Sequence, residues 1–152
     1  VFLMWGPLMM LGSFFVQHGS WSGFLPVLLL SIPQGLWVAL VILANNLKDI
    51  EFDGDSRIRT VGTILGRAGT IRLFSILAVL TYLTTIVFAA IGLVPRLCLL
   101  VVLSGPKTVS LVRHLAGQSA IPADADPQTA QSGMVFGILL AAGLILAKFL
   151  PW

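Results

Sequence analysis

The fold this sequence predicts is an all-α, polytopic transmembrane helix bundle, and three observations predict it. The mean hydropathy is +1.00. Of 152 residues, 57% are hydrophobic and only 10% charged. The apolar residues gather into five runs near twenty residues long with few charges, the length a helix needs to cross a bilayer core. Four of the six carboxylates, Asp49, Glu51, Asp53 and Asp55, fall instead within seven residues of one polar island.

Each apolar run reads as one helix. The first, 1–17, covers about 25 Å at 1.5 Å per residue, with Gly6-Pro7 loosening its early turns. The chain opens inside this run with no charged leader or cleavage site, as a chain cut within a span would. His18 to Gly23 reads as a short turn with an interfacial Trp21. The second run, 24–44, is kinked at Pro33. Its Gln34 shares a face with Asn45, three turns and about 16 Å further on. That face either lines a cavity or lets Gln34 hydrogen-bond a neighbouring helix.

A polar segment, 45–70, follows, and then a third span over 71–92. The hydroxyls of Thr81, Tyr82, Thr84 and Thr85 within it read as helix-packing groups. Leu93 to Arg96 makes a tight return into the fourth span, 95–115, which Ser104-Gly105-Pro106-Lys107 breaks near its middle. Lys107 either snorkels to the interface or faces a wet, anionic interior. Residues 116–128, with two prolines and Asp124 and Asp126, read as an exposed loop. The fifth span, 129–150, carries Gly133, Gly137 and Ala141 as a small-residue stripe for close helix contact.

The formal charge of +3 and the pI near 9.6 do not imply nucleic-acid binding, because the nine basic residues form no stripe with interleaved aromatics. Their distribution is topological. Five spans alternate sides, so the polar segment and the 116–128 loop share one face. That face holds Lys48, Arg57, Arg59, Arg67, Arg72 and Arg113, against Arg96 and Lys148 on the other. The positive-inside rule therefore places the polar segment in the cytoplasm, the protein being embedded in the cell membrane. The single Cys98 lies in an apolar run, where it forms no intramolecular disulfide and behaves as a small buried hydrophobe.

Chemistry concentrates in Asn45-Asn46-Leu47-Lys48-Asp49-Ile50-Glu51-Phe52-Asp53. If the second helix continues, Asn45, Asp49 and Asp53 stack on one face, one turn apart. Carboxylates so placed repel, by a few tenths of a kcal/mol on a bare helix, and call for a cation between them. A divalent metal carrying a phosphorylated ligand would serve, since hard carboxylate oxygens suit Mg²⁺ and Mg²⁺ bridges to substrate phosphates. A solvated, charged loop between two spans is the plainer reading. Arg57 lies four residues after Asp53, and Lys48 and Arg59 are close in sequence, so donors for phosphate oxygens are at hand. The same parts could form a cation transporter's gate, although transport sites favour carboxylates near the midplane and these lie at one membrane face.

This segment, with Arg59-Thr60 and Leu65-Gly66-Arg67, resembles the second aspartate-rich motif of the UbiA superfamily of intramembrane aromatic prenyltransferases. More narrowly it is similar to the 1,4-dihydroxy-2-naphthoate prenyltransferase (MenA) branch, with its N-N-x-R-D-I-x-x-D followed by G-K-R-T or G-I-R-T. Phe2 to Pro7 and Gly12 to Gln17 are similar to that branch's F-x-G-P and G-T-Y-Y-V-Q, and Thr129-Ala130 with Phe136 to Gly143 to its last helix. The resemblance implies nine transmembrane helices around a central cavity, about five of them in this chain. It implies that Asp49 and Asp53 bind Mg²⁺ bridging a polyprenyl diphosphate, that Asn45 and Asn46 support that site, and that Arg59, Lys48 and Arg57 contact the diphosphate. The implied reaction is Mg²⁺-dependent transfer of the prenyl group to 1,4-dihydroxy-2-naphthoate with decarboxylation, giving demethylmenaquinone. Other acceptors in the superfamily are 4-hydroxybenzoate, homogentisate, chlorophyllide and a haem precursor. The first motif, N-D-x-x-D-x-x-x-D, is absent here, so the chain alone is expected to be inactive. Arg57 stands where the branch often has glycine, Ile58 where lysine is common, and Phe14-Phe15 where it has two tyrosines.

Overall fold

The computed structural model describes residues 1–117 and 122–150. All regular structure among them is helical. A π-helical turn, Met4–Leu8, leads into α1, Met9–His18, and α2 follows over Phe24–Lys48. A short α3, Ile50–Asp55, precedes the long α4, Val61–Ala90. A 3₁₀-helix, Arg96–Ser104, runs directly into α5, Gly105–Gly117, and α6 spans Ala125–Leu146.

Four helical stretches are long and apolar enough to cross a membrane: α2, α4, the joined Arg96–Gly117 and α6. The first expected span is helical too, but shorter within this chain. Its wide π turn falls where Pro7 removes a backbone donor from the ladder. Across the fourth run, Ser104-Gly105-Pro106 changes the winding from 3₁₀ to α without ending the helix, and the donor missing at Pro106 falls at that change of winding, a local adjustment that membrane helices tolerate.

Two helices begin earlier than the apolar runs suggest. α4 starts at Val61, ten residues before the expected 71, because Thr60 caps it. Thr63 N donates to Thr60 Oγ1 (3.3 Å) and Thr60 N to Thr63 Oγ1 (2.9 Å), satisfying two otherwise orphaned donors. The helix then kinks at Gly66 (φ 65°, ψ 174°), a left-handed conformation that suits glycine. α6 starts at Ala125 instead of 129, because Pro127 in its first turn lacks only a donor with no helical partner. Part of the expected 116–128 loop is therefore helix at both ends, and residues 118–121 lie outside the described residues.

The core sits where α2, α4 and α6 meet. Trp37, Phe74 and Phe136 are its largest fully buried side chains. The Phe136 ring lies 5.8 Å from Trp37 and 5.4 Å, edge-on at 87°, from Tyr82, a favoured aromatic geometry. The outer faces stay apolar, with Val79, Leu103, Met134 and Ile138 each more than half exposed, as surfaces wetted by lipid are.

Hydroxyls inside the bundle bond to their own helices. Thr81, Thr84 and Thr85 donate to the carbonyls of Leu77, Leu80 and Thr81 at 2.8–3.1 Å. Tyr82 reaches across instead, its hydroxyl 2.8 Å from Ser104 Oγ and 2.7 Å from Thr108 Oγ1. All four are the packing groups that their sequence context suggests.

Small residues set the closest approaches. A Cβ on Gly6 would lie 2.7 Å from the Ser31 carbonyl oxygen, and one on Gly133 3.2 Å from the Trp37 ring. The tightest place on α6 is Gly143, outside the stripe of Gly133, Gly137 and Ala141, where a methyl would run into the Leu97 carbonyl. Gly143→Ala should destabilise the fold by about 1–3 kcal/mol, the usual cost of overpacking. Gly12→Ala, which meets nothing within 4 Å, should be neutral or better. Thermal melting in detergent compares the two, and equal melting temperatures would contradict this packing.

Candidate functional site

The polar island lies where α2 ends. Asp49 leaves helical geometry for one residue (φ −92°, ψ 11°), yet the four-residue hydrogen-bond ladder crosses the joint. Asp49 N donates to the Asn45 carbonyl at 3.0 Å, and Asp53 N to the Asp49 carbonyl at 2.8 Å. Asn45, Asp49 and Asp53 thus keep the one-turn spacing read from the sequence. Burial separates the four clustered acids. Asp53 is only 9% exposed and Asp49 is half-buried, whereas Glu51 and Asp55 are exposed.

Among the described residues, neither Asp49 nor Asp53 makes a side-chain hydrogen bond or ion pair. The nearest cation in sequence is committed elsewhere: Lys48 Nζ lies 3.1 Å from Asp126 Oδ2, each side chain 27% exposed. This pair joins the end of α2 to the first turn of α6 and brings the polar segment and the start of α6 to one end of the bundle. Asp126 Oδ1 is buried without a partner among the described residues. No sequence signal couples positions 78 residues apart, and Asp126 reads from sequence only as a loop acid.

Arg57 has an unusual backbone. Its φ of 57° makes it the one non-glycine residue with positive φ among those described. Ile58 N donates to the Asp53 carbonyl (2.8 Å) and Arg57 N to the Gly54 carbonyl (3.2 Å). These two bonds are a Schellman ending of α3, with Arg57 at the left-handed position that glycine usually fills. The structure thereby supplies a physical reason why glycine is common there in the MenA-type motif.

Arg59 is exposed and leads into the Thr60 cap. The start of α4 is pressed against the end of α2, because Gly62 has its bare Cα against the Asn46 carbonyl, where a methyl would collide. Arg59 is three residues from this contact, so its backbone lies within about 11 Å of that of Gly62. Lower on α2, Gln34 and Val38 line a groove of about 610 Å³ with Trp5, Met10 and Phe14. Gln34 forms no hydrogen bond among the described residues, and the open groove it lines does not extend to Asn45.

No cluster of three or more His, Cys, Asp or Glu side chains suited to a metal occurs among the described residues. What the chain offers is a pair of hard carboxylates one turn apart, without cationic partners. Mg²⁺ fits such a pair, since it commonly takes one or two protein carboxylates and fills its shell with water and substrate phosphate.

Apolar spanning helices, unpartnered acids at one end of them and a groove along α2 define a multi-pass membrane protein with a polar site at its surface. The chain belongs to the UbiA prenyltransferase family, whose profile matches residues 1–125. It is 30% identical over 147 residues to 1,4-dihydroxy-2-naphthoate octaprenyltransferase of Bacillus subtilis, covering 95% of this chain and 46% of that protein. It is 34% identical over 102 residues to the protein of the same name from Mycobacterium leprae, covering 62% of this chain and 33% of that one. UbiA prenyltransferase domain-containing protein 1 of Homo sapiens is 29% identical over 150 residues, 97% of this chain and 42% of its own length. The chain thus spans less than half the length of these relatives. No solved structure matches it.

Arg57→Gly should stabilise the protein by about 0.5–1 kcal/mol, because it relieves a left-handed Cβ. Thermal melting without substrate measures it, and a lower melting temperature would show that the arginine side chain, not the turn, dominates there.

Proposed function

We propose that this chain carries the diphosphate-binding end of an intramembrane prenyltransferase that prenylates 1,4-dihydroxy-2-naphthoate in menaquinone biosynthesis. The observation that carries it is the pair Asp49 and Asp53, drawn into the protein one turn apart and left without a cationic partner. The family and the names of the Bacillus and Mycobacterium relatives support the acceptor. In this reading the motif segment faces the cytoplasm and the bundle sits in the cell membrane, as the distribution of basic residues argues.

The geometry supports the following roles. Asp49 and Asp53 would hold Mg²⁺, which when bound neutralises charge on the departing diphosphate. Asn45, one turn before Asp49, and Asn46 support the same end of α2 with amide groups. Arg59, held beside the α2–α4 contact, donates to diphosphate oxygens, and Arg57 stands at the rim of the same turn. Lys48 reaches the diphosphate only by exchanging its Asp126 partner. As the allylic C–O bond breaks, its electron pair leaves on the diphosphate. A ring carbon of the naphthoate then bonds to the allylic carbon, and the ring carboxylate departs as CO₂, returning its electrons to the ring. The apolar bundle keeps water from the cation. The remaining carboxylates come from the first motif, which this chain lacks, so the chain by itself is inactive.

In the full-length enzyme, Asp49→Asn should lower Mg²⁺-dependent turnover at least about a hundredfold, the scale of losing several kcal/mol of charge stabilisation. Glu51→Gln, on the exposed side of the same segment, should leave turnover within about threefold. Product analysis by mass spectrometry with 1,4-dihydroxy-2-naphthoate, 4-hydroxybenzoate and homogentisate identifies the acceptor. Equal activity of Asp49→Asn and the unmodified enzyme would remove the metal site. Prenylation of 4-hydroxybenzoate alone would keep the site and replace the acceptor.

A further inference from the structure

Two neighbouring faces of α2 serve different partners. Trp37 and Lys48, eleven residues apart, stand within about 20° of each other round the helix. Both meet α6: a Cβ on Gly133 would lie 3.2 Å from the Trp37 ring, and Lys48 Nζ is 3.1 Å from Asp126 Oδ2. Gly133 and Asp126, seven residues apart, likewise share one side of α6. The later residue of α2 thus meets the earlier residue of α6, so the two helices run antiparallel and the ion pair closes one end of their seam. The face of α2 that carries Asn45 and Asp49 lies roughly 60–100° round from Lys48.

Asp126 is placed to hold a cation at that end. It lies in the first turn of α6, where a helix N-terminus favours a negative side chain. Its side chain and that of Lys48 are both partly buried, and Asp126 Oδ1 is buried without a partner among the described residues. Removing either partner would therefore leave the other's charge uncompensated in a partly dry place. The family profile ends at residue 125, one position before Asp126, so membership of the family gives this residue no role.

Without Asp126, Lys48 becomes an unpaired ammonium on a flexible four-carbon stem. It is adjacent to Asp49 in sequence and one turn beyond Asn45. Asp49 and Asp53 carry no bonded cation among the described residues, so the field of that ammonium falls on both. A positive charge there opposes the binding of a divalent ion by the same carboxylates.

We propose that Asp126 is a positioning residue for the metal site: by binding Lys48 at the end of the α2–α6 seam, it keeps the lysine's charge off Asp49 and Asp53 and preserves their affinity for a divalent cation. This inference rests on the reading of those two acids as metal ligands. It gives the last helix, which lies outside the motif, a part in metal binding that acts through another side chain.

The test counts Mn²⁺, a stand-in for Mg²⁺ whose free aqueous ion is measured by electron paramagnetic resonance. The full-length protein in detergent is titrated without diphosphate, so that no contact of Lys48 with substrate enters. Asp126→Asn should weaken Mn²⁺ binding about tenfold, the scale of one unit charge acting on a divalent ion near a protein surface. Adding Lys48→Met to Asp126→Asn should return the affinity to within about threefold of the unmodified protein, as coupled partners do, and Asp126→Glu should keep it. Lys48→Met alone should bind Mn²⁺ at least as tightly as the unmodified protein, which provides a second reading if Asp126→Asn fails to fold.

A double variant that binds as weakly as Asp126→Asn would show that the pair only holds two helices together, and the proposal would be overturned. Weaker binding by Lys48→Met, or an unchanged affinity in Asp126→Asn, would overturn it too. Asp49→Asn separates this inference from the reading beneath it. If Asp49→Asn loses Mn²⁺ while Asp126→Asn does not, only the role of Asp126 falls; if Asp49→Asn binds like the unmodified protein, the metal site falls and the role of Asp126 with it.

Discussion

The contact on which the rest depends is that of Gly62 with the carbonyl of Asn46. With no side chain at residue 62, α4 can start hard against the last turn of α2. Ile50 to Arg59 must then fold back within a very short span, which they do as one short helix, a Schellman turn and a capped restart. Arg59 therefore starts its approach to α4 close to the end of α2; Asp49, at that end, is half-buried, and Asp53, in α3, is buried. A side chain at residue 62 would push the two helices apart at the level of the polar segment. The glycine is thus a structural residue whose effect falls on the site.

Lower in the bundle a different constraint governs. The membrane interior offers no water to a polar group, so each hydroxyl there needs a partner within the protein. Thr70, Thr81, Thr85 and Thr129 take the carbonyl four residues back along their own helices, which makes them almost neutral packing groups. Tyr82 is the exception that links elements, spanning from α4 to Ser104 and Thr108 where the 3₁₀ winding gives way to α. That joint, which the sequence marks with Gly105-Pro106, is therefore held by a hydrogen-bonded hydroxyl cluster as well as by Phe136 stacked edge-on against the same ring.

Much of this was legible before any coordinates. Hydropathy and run length gave the helical membrane class, and the four-residue repeat of Asn45, Asp49 and Asp53 anticipated a ladder that the joint at Asp49 does not break. Alternation of spans put the start of α6 beside the motif, and the Lys48–Asp126 pair lies there. What was illegible depends on three-dimensional partners or on backbone conformation. Asp126 acquires its role from a residue 78 positions away. Arg57 shows its left-handed turn only in its dihedral angles, because arginine carries no signal for φ of 57°. Helix starts moved because caps and prolines, not hydropathy, decide where a ladder can begin: Thr60 extends α4 into a stretch rich in polar residues, and Pro127 is admitted to α6.

The Lys48–Asp126 pair also explains how two acids can remain unpaired beside so many cations. Lys48 is adjacent to Asp49 in sequence, but consecutive residues on a helix point about 100° apart and do not face each other. Once Asp126 takes Lys48 Nζ, no other cation is bonded to Asp49 or Asp53 among the described residues. Desolvation offsets much of what such a partly buried pair adds to stability, so its weight lies in what it withholds. A lysine lying across the two carboxylates would neutralise them and occupy the space of a metal ion. Held aside by α6, it leaves both acids without a bonded cation among the described residues, the condition that the proposed divalent site requires. The last helix, which carries none of the motif, thereby draws the adjacent lysine away from both acids.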